Sequence, residues 1–511
     1  MENTNDLNER NISRKRKFSL TAFEDFVNST SDSEKPMINK SVYENCYFKS
    51  GCLYYEQPKH IPKIDGHYID PFCNPDMLKK IKFSDIIKAK RNIQSDIFFS
   101  PCQRSVTLSK MTKCNLFFKK EYLQITGSFK ERGARNSLLS LTKNQQKLGV
   151  VTASAGNHAL GLAYQGKLLG ISITVMVPLS APIMKIERCK TFNAKVVVCG
   201  RNLMEITRFR AEPTMHSNFR KRCTKEIAMD YAVENKQIYI NGYDFPPILA
   251  GQGTIGLEIH EQMPNVDYIL VPIGGGGLIA GISVAIKSIN PKIKIIGIES
   301  ENFNTFSLSM EKGQIISPEN RCTLADGLAA PIGYNSFYNA KGLIDKIVNV
   351  SEKSISQAIL RLIEIEKSVI EGAGAIGLAA LISNKLPECK NKNVCVILSG
   401  GNIDTSVLGR CLDIGLRADE RLMKMSVTMG DKPGSIAELT RIVAAEGGNI
   451  KEFIHQRSIH NKSDCTQDIY CVNIRLVVEV RNPLHGINFL NKKKYKTGCP
   501  TCRSPKLKNE N

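Results

Sequence analysis

The sequence predicts an α/β fold built on parallel sheets, followed by a smaller α+β unit. Short runs of apolar and β-branched residues alternate with longer amphipathic stretches between about residues 80 and 415. Continuous apolar strands separated by helices are typical of parallel sheets, because helices then cover both faces of the strands. After residue 420 the order changes to strand, helix, strand, strand, which indicates a second unit with an open sheet.

The individual elements follow in chain order. Strands are predicted at 149–154, 172–178, 194–199, 237–242, 266–273, 292–300 and 393–399. The stretch 158–170 predicts a helix that ends at Gly170, because glycine readily adopts the left-handed conformation that closes a helix. In the second unit, strands are predicted at 421–429, 449–459 and 468–480, and a helix at 436–447. The helix and strand that would complete such a unit are not evident.

Composition changes mark the domain boundaries. Residues 1–65 are polar and lack a periodic pattern, which predicts a disordered extension. Residues 80–415 form the α/β unit, and 207–223, with one proline and five arginines or lysines, predicts an exposed insertion within it. Residues 420–482 form the incomplete second unit, and 483–511 a basic tail.

The charge and cysteine content exclude several classes of protein. The net charge of +21 is concentrated partly in three short segments and not on one organised surface with aromatic residues, so we expect no nucleic-acid partner. No run of about 18 apolar residues exists, so no membrane span is expected. The polar N-terminus predicts a cytoplasmic location. The 16 cysteines are irregularly spaced, which favours reduced thiols, and the pair Cys499 and Cys502 lacks the second pair that a zinc site needs.

Four polar or glycine-rich segments fall at or near strand-to-helix corners. They are "TGSFK" with Lys130, "SAGNH" at 154–158, "GGGG" at 274–277 and "SGGN" at 399–402. In an open parallel sheet, ligands bind at such corners beyond the carboxyl ends of the strands. Four glycines before a helix let backbone N–H groups approach a phosphate. The "SAGNH" segment offers donors for a carboxylate and a ring oxygen, and Ser399 offers a hydroxyl for a ring nitrogen.

Each segment alone has an ordinary structural explanation, such as a tight turn or a helix N-cap. A lysine, a phosphate cradle and two polar ring contacts together describe a site for pyridoxal phosphate. The sequence therefore predicts this cofactor and predicts no metal.

Seven motifs in a fixed order carry a resemblance to a known family. They are "TGSFKERGA", "SAGNHALG", "AGQGTIGLEI", "GGGGLIAG", "TLADGLA", "EGAGAIGLAAL" and "SGGNID". Over about 80–415 the chain resembles the threonine dehydratase and serine racemase family of pyridoxal-phosphate enzymes. This resemblance implies the tryptophan-synthase-β-like fold, also called fold type II, with two parallel-sheet subdomains. The segment "DKPGSIAEL" is similar to an ACT regulatory domain, which implies an amino-acid-binding unit and a homo-oligomer, either a dimer or a tetramer.

The resemblance also implies a role for each matching residue. Lys130 would form the Schiff base with the cofactor and act as the catalytic base, with Phe129 against the cofactor and Asn157 at its ring oxygen. Ser399 would face the pyridine nitrogen. The phosphate would be held by Gly274, Gly275, Gly276 and Gly277. The substrate carboxylate would be surrounded by Ser154, Ala155, Gly156, Asn157 and His158.

The implied activity is that of a threonine ammonia-lyase, which converts L-threonine to 2-oxobutanoate and ammonia and also L-serine to pyruvate. Serine racemase is the alternative, but the family's racemases carry a serine as second acid where this chain has Ala155. A catalytically weak, amino-acid-sensing homologue is a further alternative. The family's metal site pairs a glutamate with an aspartate six residues later, whereas this chain has Glu299 and Thr305, so no metal is expected there.

Overall fold

The computed structural model describes residues 63–64, 67–68, 70–181, 183–200, 223–317, 322–456, 471–482, 484–485 and 508–509. The predicted extension 1–65, insertion 207–223 and basic tail 483–511 lie almost wholly outside these residues, as do Cys499 and Cys502. Within the part of the chain that is described, no helix combines the length and apolar character needed to cross a bilayer.

The strands and helices are numbered separately in chain order. The strands are β1 (Lys63–Ile64), β2 (His67–Tyr68), β3 (Cys102–Arg104), β4 (Asn115–Lys119), β5 (Val150–Ala153), β6 (Ile173–Val177), β7 (Lys195–Val198), β8 (Ile238–Tyr239), β9 (Tyr268–Pro272), β10 (Lys294–Ser300), β11 (Lys346–Val350), β12 (Asn393–Ile397), β13 (Leu422–Gly430), β14 (Asn449–Gln456), β15 (Cys471–Glu479) and β16 (Lys508–Asn509).

The helices are α1 (Phe83–Ile93), α2 (Val106–Thr112), α3 (Lys130–Leu139), α4 (Lys143–Leu148), α5 (Asn157–Leu169), α6 (Ile183–Thr191), α7 (Thr224–Glu234), α8 (Pro246–Gln262), α9 (Gly277–Ile289), α10 (Thr305–Lys312), α11 (Tyr334–Ala340), α12 (Glu352–Glu364), α13 (Gly372–Ile382), α14 (Thr405–Ala418) and α15 (Ser435–Ala445).

The larger sheet has the order β11-β10-β9-β12-β4-β3, and its neighbouring strands are parallel except for β3 and β4. Alternate residues of β9 enter two different apolar cores. Leu270 packs on one face of the sheet, and Ile269 and Val271 pack on the other. Because both faces are covered, the strand is apolar throughout, which is the pattern from which a parallel sheet was predicted.

The smaller sheet has the order β7-β6-β5-β8, and all of its strands are parallel. Val150 and Val151, neighbours on β5, again enter different apolar clusters. Helix α5 follows β5 and ends at Gly170, which has a φ of +66° as predicted for the closing glycine. The prediction of an α/β fold with two parallel-sheet subdomains is confirmed.

The C-terminal unit is a small antiparallel sheet with the order β14-β15-β13-β16. Helix α15 packs against it through Leu439 and Val443, which share an apolar cluster with Ile474 and Leu476. The strand, helix, strand, strand order matches the prediction for this segment. Arg421, just before β13, forms an ion pair with Glu364 at the end of α12.

Six strands are not predicted from the sequence, namely the two-residue strands β1, β2 and β16 and the longer strands β3, β4 and β11. Strand β8 is shorter than the predicted 237–242. The two residues of β8 are followed by a turn, because the Asn241 side-chain oxygen accepts hydrogen bonds from the N–H groups of Tyr243 and Asp244. This turn brings the carbonyl of Gly242 to the carboxyl end of the smaller sheet. The C-terminal residue of β4, Lys119, is fully buried, and the sequence alone does not show what neutralises it.

Candidate active site

One cavity of about 450 Å³ gathers every predicted site residue. Ala153 ends β5 of the smaller sheet and Pro272 ends β9 of the larger sheet, and both line the cavity. The cavity therefore lies at the carboxyl ends of both sheets, where ligands bind in folds of this class. Its lining includes Phe129, Lys130, Ser154, Ala155, Gly156, Asn157, His158, Gly274, Gly275, Gly276, Gly277 and Ser399.

Lys130 is the first residue of α3, and its amine donates a hydrogen bond of 2.7 Å to the carbonyl oxygen of Gly242. The same amine lies 5.1 Å from the centre of the Phe129 ring. Burial lowers the pKa of Lys130 to about 8, and the charge of Glu371 opposes that shift. With this pKa about one-tenth of the amine is neutral at pH 7, and the neutral form is nucleophilic and basic.

The four glycines form a turn that has no room for side chains. Gly276 has a φ of +92°, and α9 begins at Gly277. A Cβ atom on Gly275 would lie 2.3 Å from the Tyr243 ring, and one on Gly277 would lie 2.3 Å from the Tyr243 carbonyl oxygen. The first N–H groups of a helix lack partners within the helix, so this turn presents donors and a partial positive charge to the cavity.

The "SAGNH" segment opens α5, which begins at Asn157. A Cβ atom on Gly156 would meet nothing within 4 Å, so the space beside it is open. Burial and the charge of Lys130 lower the pKa of His158 to about 3, and its Nε2 lies 3.4 Å from the carbonyl oxygen of Ile240. His158 is therefore neutral, and it cannot offer a positive charge to a carboxylate.

Ser399 follows β12 and is 2% exposed. Its carbonyl oxygen accepts a hydrogen bond of 3.0 Å from the N–H group of Phe129. The neighbouring residues Ser128 and Gly400 form an isolated antiparallel bridge. These backbone contacts connect the segment that carries Lys130 to the segment that carries Ser399, so the two side chains reach the same cavity from distant parts of the sequence.

Several cavity residues were not predicted from the sequence. Glu371 also lines the cavity, and its Oε1 accepts a hydrogen bond of 2.8 Å from Asn157 Nδ2. Burial raises the pKa of Glu371 to about 7, and the charge of Asp326 adds to the shift. Tyr243 and Lys185 also line the cavity. Glu371 and Asp326 both stand in motifs that carry the resemblance, "EGAGAIGLAAL" and "TLADGLA", and this was the signal that could have found them.

Pyridoxal phosphate fits the residues of this cavity. Both polar atoms of the Gln252 side chain and the Nδ1 atom of His158 are buried without a hydrogen-bond partner, and both residues line the cavity. A glycine turn at a helix start suits a phosphate, and a lysine with a lowered pKa suits an aldehyde. The cavity thus has donors for the charged end of the cofactor and an amine for its reactive end.

Glu299 takes part in a helix start and not in a group of metal ligands. Its two carboxylate oxygens accept 2.8 Å hydrogen bonds from the N–H groups of Phe306 and Ser307, in the first turn of α10. Burial raises the pKa of Glu299 to about 7. Among the residues that the structure describes, no group of three or more histidine, cysteine, aspartate or glutamate side chains could hold a metal ion.

Comparison with known proteins places the chain in one family. Residues 93–400 match the family of pyridoxal-phosphate-dependent enzymes. The chain is 39% identical over 379 residues to the L-threonine ammonia-lyase of Thermotoga maritima, and this match covers 74% of the chain and 90% of that relative. It is also 39% identical over 340 residues to the catabolic L-threonine dehydratase of Staphylococcus aureus, covering 66% of the chain and 93% of that relative.

Solved structures resemble the fold over the same region. The processed form of threonine deaminase isoform 2 from Solanum lycopersicum is 30% identical with a TM-score of 0.59, and the match covers 70% of this chain and 99% of that one. Maize serine racemase is 32% identical with a TM-score of 0.59, covering 66% of this chain and 99% of that one. The fold is thus equally similar to a deaminase and to a racemase, and the cavity residues must distinguish them.

Proposed function

The chain belongs to the family of pyridoxal-phosphate-dependent enzymes, and from this membership we propose that it is a threonine ammonia-lyase. It converts L-threonine to 2-oxobutanoate and ammonia, and L-serine to pyruvate and ammonia. The observation that carries the proposal is the Lys130 amine, with its pKa lowered to about 8, in one cavity with the glycine turn and Ser399. The relatives named for threonine deamination support the choice of substrate.

Residues that follow both sheets would hold the cofactor. Lys130 would be its attachment point, with Phe129 beside it. Asn157 would bind its ring oxygen, and the N–H groups of Gly274–Gly277 would bind its phosphate. Bound pyridoxal phosphate supplies the electron sink that makes the Cα proton of an attached amino acid acidic.

The protein supplies the base and the orientation. The neutral Lys130 amine takes the Cα proton, and the Gly242 carbonyl, 2.7 Å away, holds that amine in place. The backbone donors and side chains of residues 154–158 bind the substrate carboxylate. The uncharged Ser399 hydroxyl would accept or donate a hydrogen bond at the ring nitrogen without forcing a proton onto it, and this would favour elimination of the β-hydroxyl over racemisation or transamination.

Serine racemase is the second candidate, and the fold similarity to maize serine racemase favours it. Racemisation requires an acid on the face of Cα opposite the lysine. Ala155 stands in this chain at the position where the family's racemases carry a serine, and its methyl group has no proton to give. We therefore propose elimination as the main reaction.

The test is a product assay on L-threonine and L-serine. Wild-type protein supplied with the cofactor is expected to release 2-oxobutanoate and pyruvate, and Lys130→Ala is expected to release neither. Chiral analysis of serine after incubation separates the two candidates. Accumulation of D-serine without pyruvate would reverse the assignment, and the absence of any product would leave the amino-acid-sensing homologue as the better description.

Location and assembly are also part of the proposal. Ten cysteines of the described part of the chain are free, and the sulfur atoms of Cys102 and Cys395 lie 3.7 Å apart as a hydrogen-bonded pair and not as a disulfide. Free thiols are usual in the reducing cytoplasm, which supports a cytoplasmic enzyme. The ACT-like order of the C-terminal unit supports a homo-oligomer that binds an amino acid at this unit. Size-exclusion chromatography with light scattering, with and without added amino acids, tests this assembly.

A further inference from the structure

Glu371 occupies a fixed position beside the cavity. It is 5% exposed and precedes the first residue of α13, and its N–H group donates a 3.1 Å hydrogen bond to the carbonyl oxygen of Gly400. A Cβ atom on Gly400 would lie only 2.4 Å from Glu371 Oε1. The carboxylate is therefore packed directly against the turn that follows Ser399, and it has little freedom to move.

The carboxylate determines how the Asn157 side chain is oriented. Asn157 Nδ2 donates to Glu371 Oε1 at 2.8 Å, and Asn157 Oδ1 accepts from Asn402 Nδ2 at 2.8 Å. An amide group rotated by 180° would put its oxygen against the carboxylate and its donors against another donor. Of the two N–H bonds on Nδ2, one is used by Glu371, so a single N–H remains for a ligand in the cavity.

Asn402 is itself held on both sides. Its Nδ2 also donates to the carbonyl oxygen of Thr126 at 2.8 Å, and its Oδ1 accepts from Arg188 at 2.7 Å. The orientation of Asn157 is thus specified by a chain of side chains in which Glu371 provides the charged end. A hydrogen bond that includes an ionised group is stronger than one between neutral groups.

The charged groups around Glu371 come from several elements. Lys130 begins α3, Lys185 lies on α6, and Asp326 and Asp404 precede α11 and α14. Lys185 is shared, because its amine lies 3.4 Å from Asp326 and 3.9 Å from Asp404. The neighbouring His158 is neutral. The charge of Glu371 is therefore the one that acts on Lys130, and it raises the pKa that burial lowers.

We propose that Glu371 is a positioning residue of the reaction, which orients Asn157 toward the cofactor and places a negative charge in the same cavity as the Lys130 amine. This role rests on the proposed function, but it concerns how the cofactor and the lysine are held and not which amino acid is used. Its test can therefore be separated from the identity of the substrate.

Two variants separate the hydrogen bond from the charge. Glu371→Gln keeps an oxygen that can accept from Asn157 but removes the charge, whereas Glu371→Met removes both. Two quantities are measured on the full-length chain. The first is the dissociation constant of pyridoxal phosphate, from absorbance titration. The second is the pH midpoint of Lys130 labelling by trinitrobenzenesulfonate in cofactor-free protein, followed by peptide mass spectrometry.

We expect the labelling midpoint of Glu371→Gln to move to lower pH while cofactor affinity stays close to that of the wild type. We expect Glu371→Met to show the same lower midpoint and also to bind the cofactor about 3- to 10-fold more weakly, the range of one lost hydrogen bond. An unchanged midpoint in both variants would overturn the electrostatic role, and unchanged affinity in Glu371→Met would overturn the orienting role.

Glu299→Gln is the matched control. Glu299 is also buried, at 2% exposure, its pKa is also raised to about 7, and it does not line the cavity. This variant controls for the loss of any buried carboxylate, and we expect it to leave both the labelling midpoint and the cofactor affinity unchanged. A change as large as in Glu371→Met would show that general destabilisation explains the result. If threonine is not deaminated but these shifts occur, the role of Glu371 stands without the proposed substrate.

Discussion

Two buried basic residues, Lys130 and Arg132, lie within one turn of α3 and behave differently. Arg132, two residues after Lys130 on α3, is fully buried, and its guanidinium lies 2.8 Å from Glu121 and 2.5 Å from Glu258. The Lys119 amine lies 2.5 Å from Glu258. These four residues form an ion-pair cluster of two cations and two anions, whereas the Lys130 amine in the cavity donates to the uncharged carbonyl of Gly242.

The difference shows that close pairing with an opposite charge, more than burial, decides in which direction the pKa of a buried group moves. In the ion-pair cluster, burial alone would raise the pKa of Glu121, but Arg132 and Lys119 lower it overall. Glu121 and Glu258 likewise raise the pKa of Arg132 against the effect of burial. Glu121 and Arg132 therefore stay charged at ordinary pH values. Lys130 and Glu371, which lack such close counter-charges, have pKa values of about 8 and about 7, where protons can be exchanged.

The largest effect is expected when the ion-pair cluster is broken. Arg132→Met leaves two buried carboxylates with Lys119 as their nearest cation, and we expect a loss of about 3–5 kcal/mol in the free energy of unfolding. Urea denaturation followed by circular dichroism measures this loss. An unfolding midpoint equal to that of the wild type would mean that the pairing does not set the stability of these charges.

An opposite and smaller effect on the free energy of unfolding is expected at Lys130, two residues before Arg132. Lys130→Met removes a lysine whose charged form is disfavoured by burial, so we expect the cofactor-free protein to gain about 1–3 kcal/mol in unfolding free energy at pH 7. The folded pKa of about 8 lies below that of an unfolded lysine. The charged Lys130 therefore destabilises the folded wild type fully below pH 8, and this destabilisation decreases as the pH rises further.

Denaturation curves of the wild type and Lys130→Met at pH 7 and pH 10 measure this pH dependence. The gain from the substitution should be present at pH 7 and should largely vanish at pH 10. A gain that does not depend on pH would attribute the effect to packing and not to the charge.

The smallest effect is expected for an exposed pair. Glu438 and Arg441, one turn apart on α15, lie 2.8 Å from each other and are both well exposed to solvent. Water screens such a pair, so Glu438→Gln should leave the thermal unfolding temperature unchanged within error. A clear drop would show that close distance alone, without burial, accounts for the behaviour of the ion-pair cluster.

The sequence located the cavity better than it located these charge groups. Lys130, Ser154 and Gly274 stand in short motifs whose residues are adjacent in the chain, so their positions at strand-to-helix corners could be predicted. The partners of Arg132 lie 11 and 126 residues away, and the Asn157–Glu371 hydrogen bond spans 214 residues. Such pairings depend on how the two sheets pack, and local sequence patterns do not encode them.

The same limit explains the errors in the strand predictions. β4 reads "NLFFK", too short and too charged at its end to stand out, yet it pairs with β12 and buries Lys119 against Glu258 on α8. The predicted strand 237–242 was too long, because the Asn241 side chain turns the backbone after Tyr239. In both places the contact of one polar side chain decides the local structure, Lys119 with Glu258 and Asn241 with the backbone of Tyr243, and the apolar pattern does not predict it.

The cavity joins the carboxyl ends of two separate sheets, and this has a thermodynamic consequence for the protein in a cell. Any molecule that binds only the folded state adds to the free energy of unfolding, by about 2.7 kcal/mol at a free concentration of 100 times its dissociation constant. Pyridoxal phosphate bound in this cavity would contact residues of both sheets and would stabilise the folded state in this way. We therefore expect the cofactor-free protein to unfold at a lower urea concentration than the protein supplied with pyridoxal phosphate.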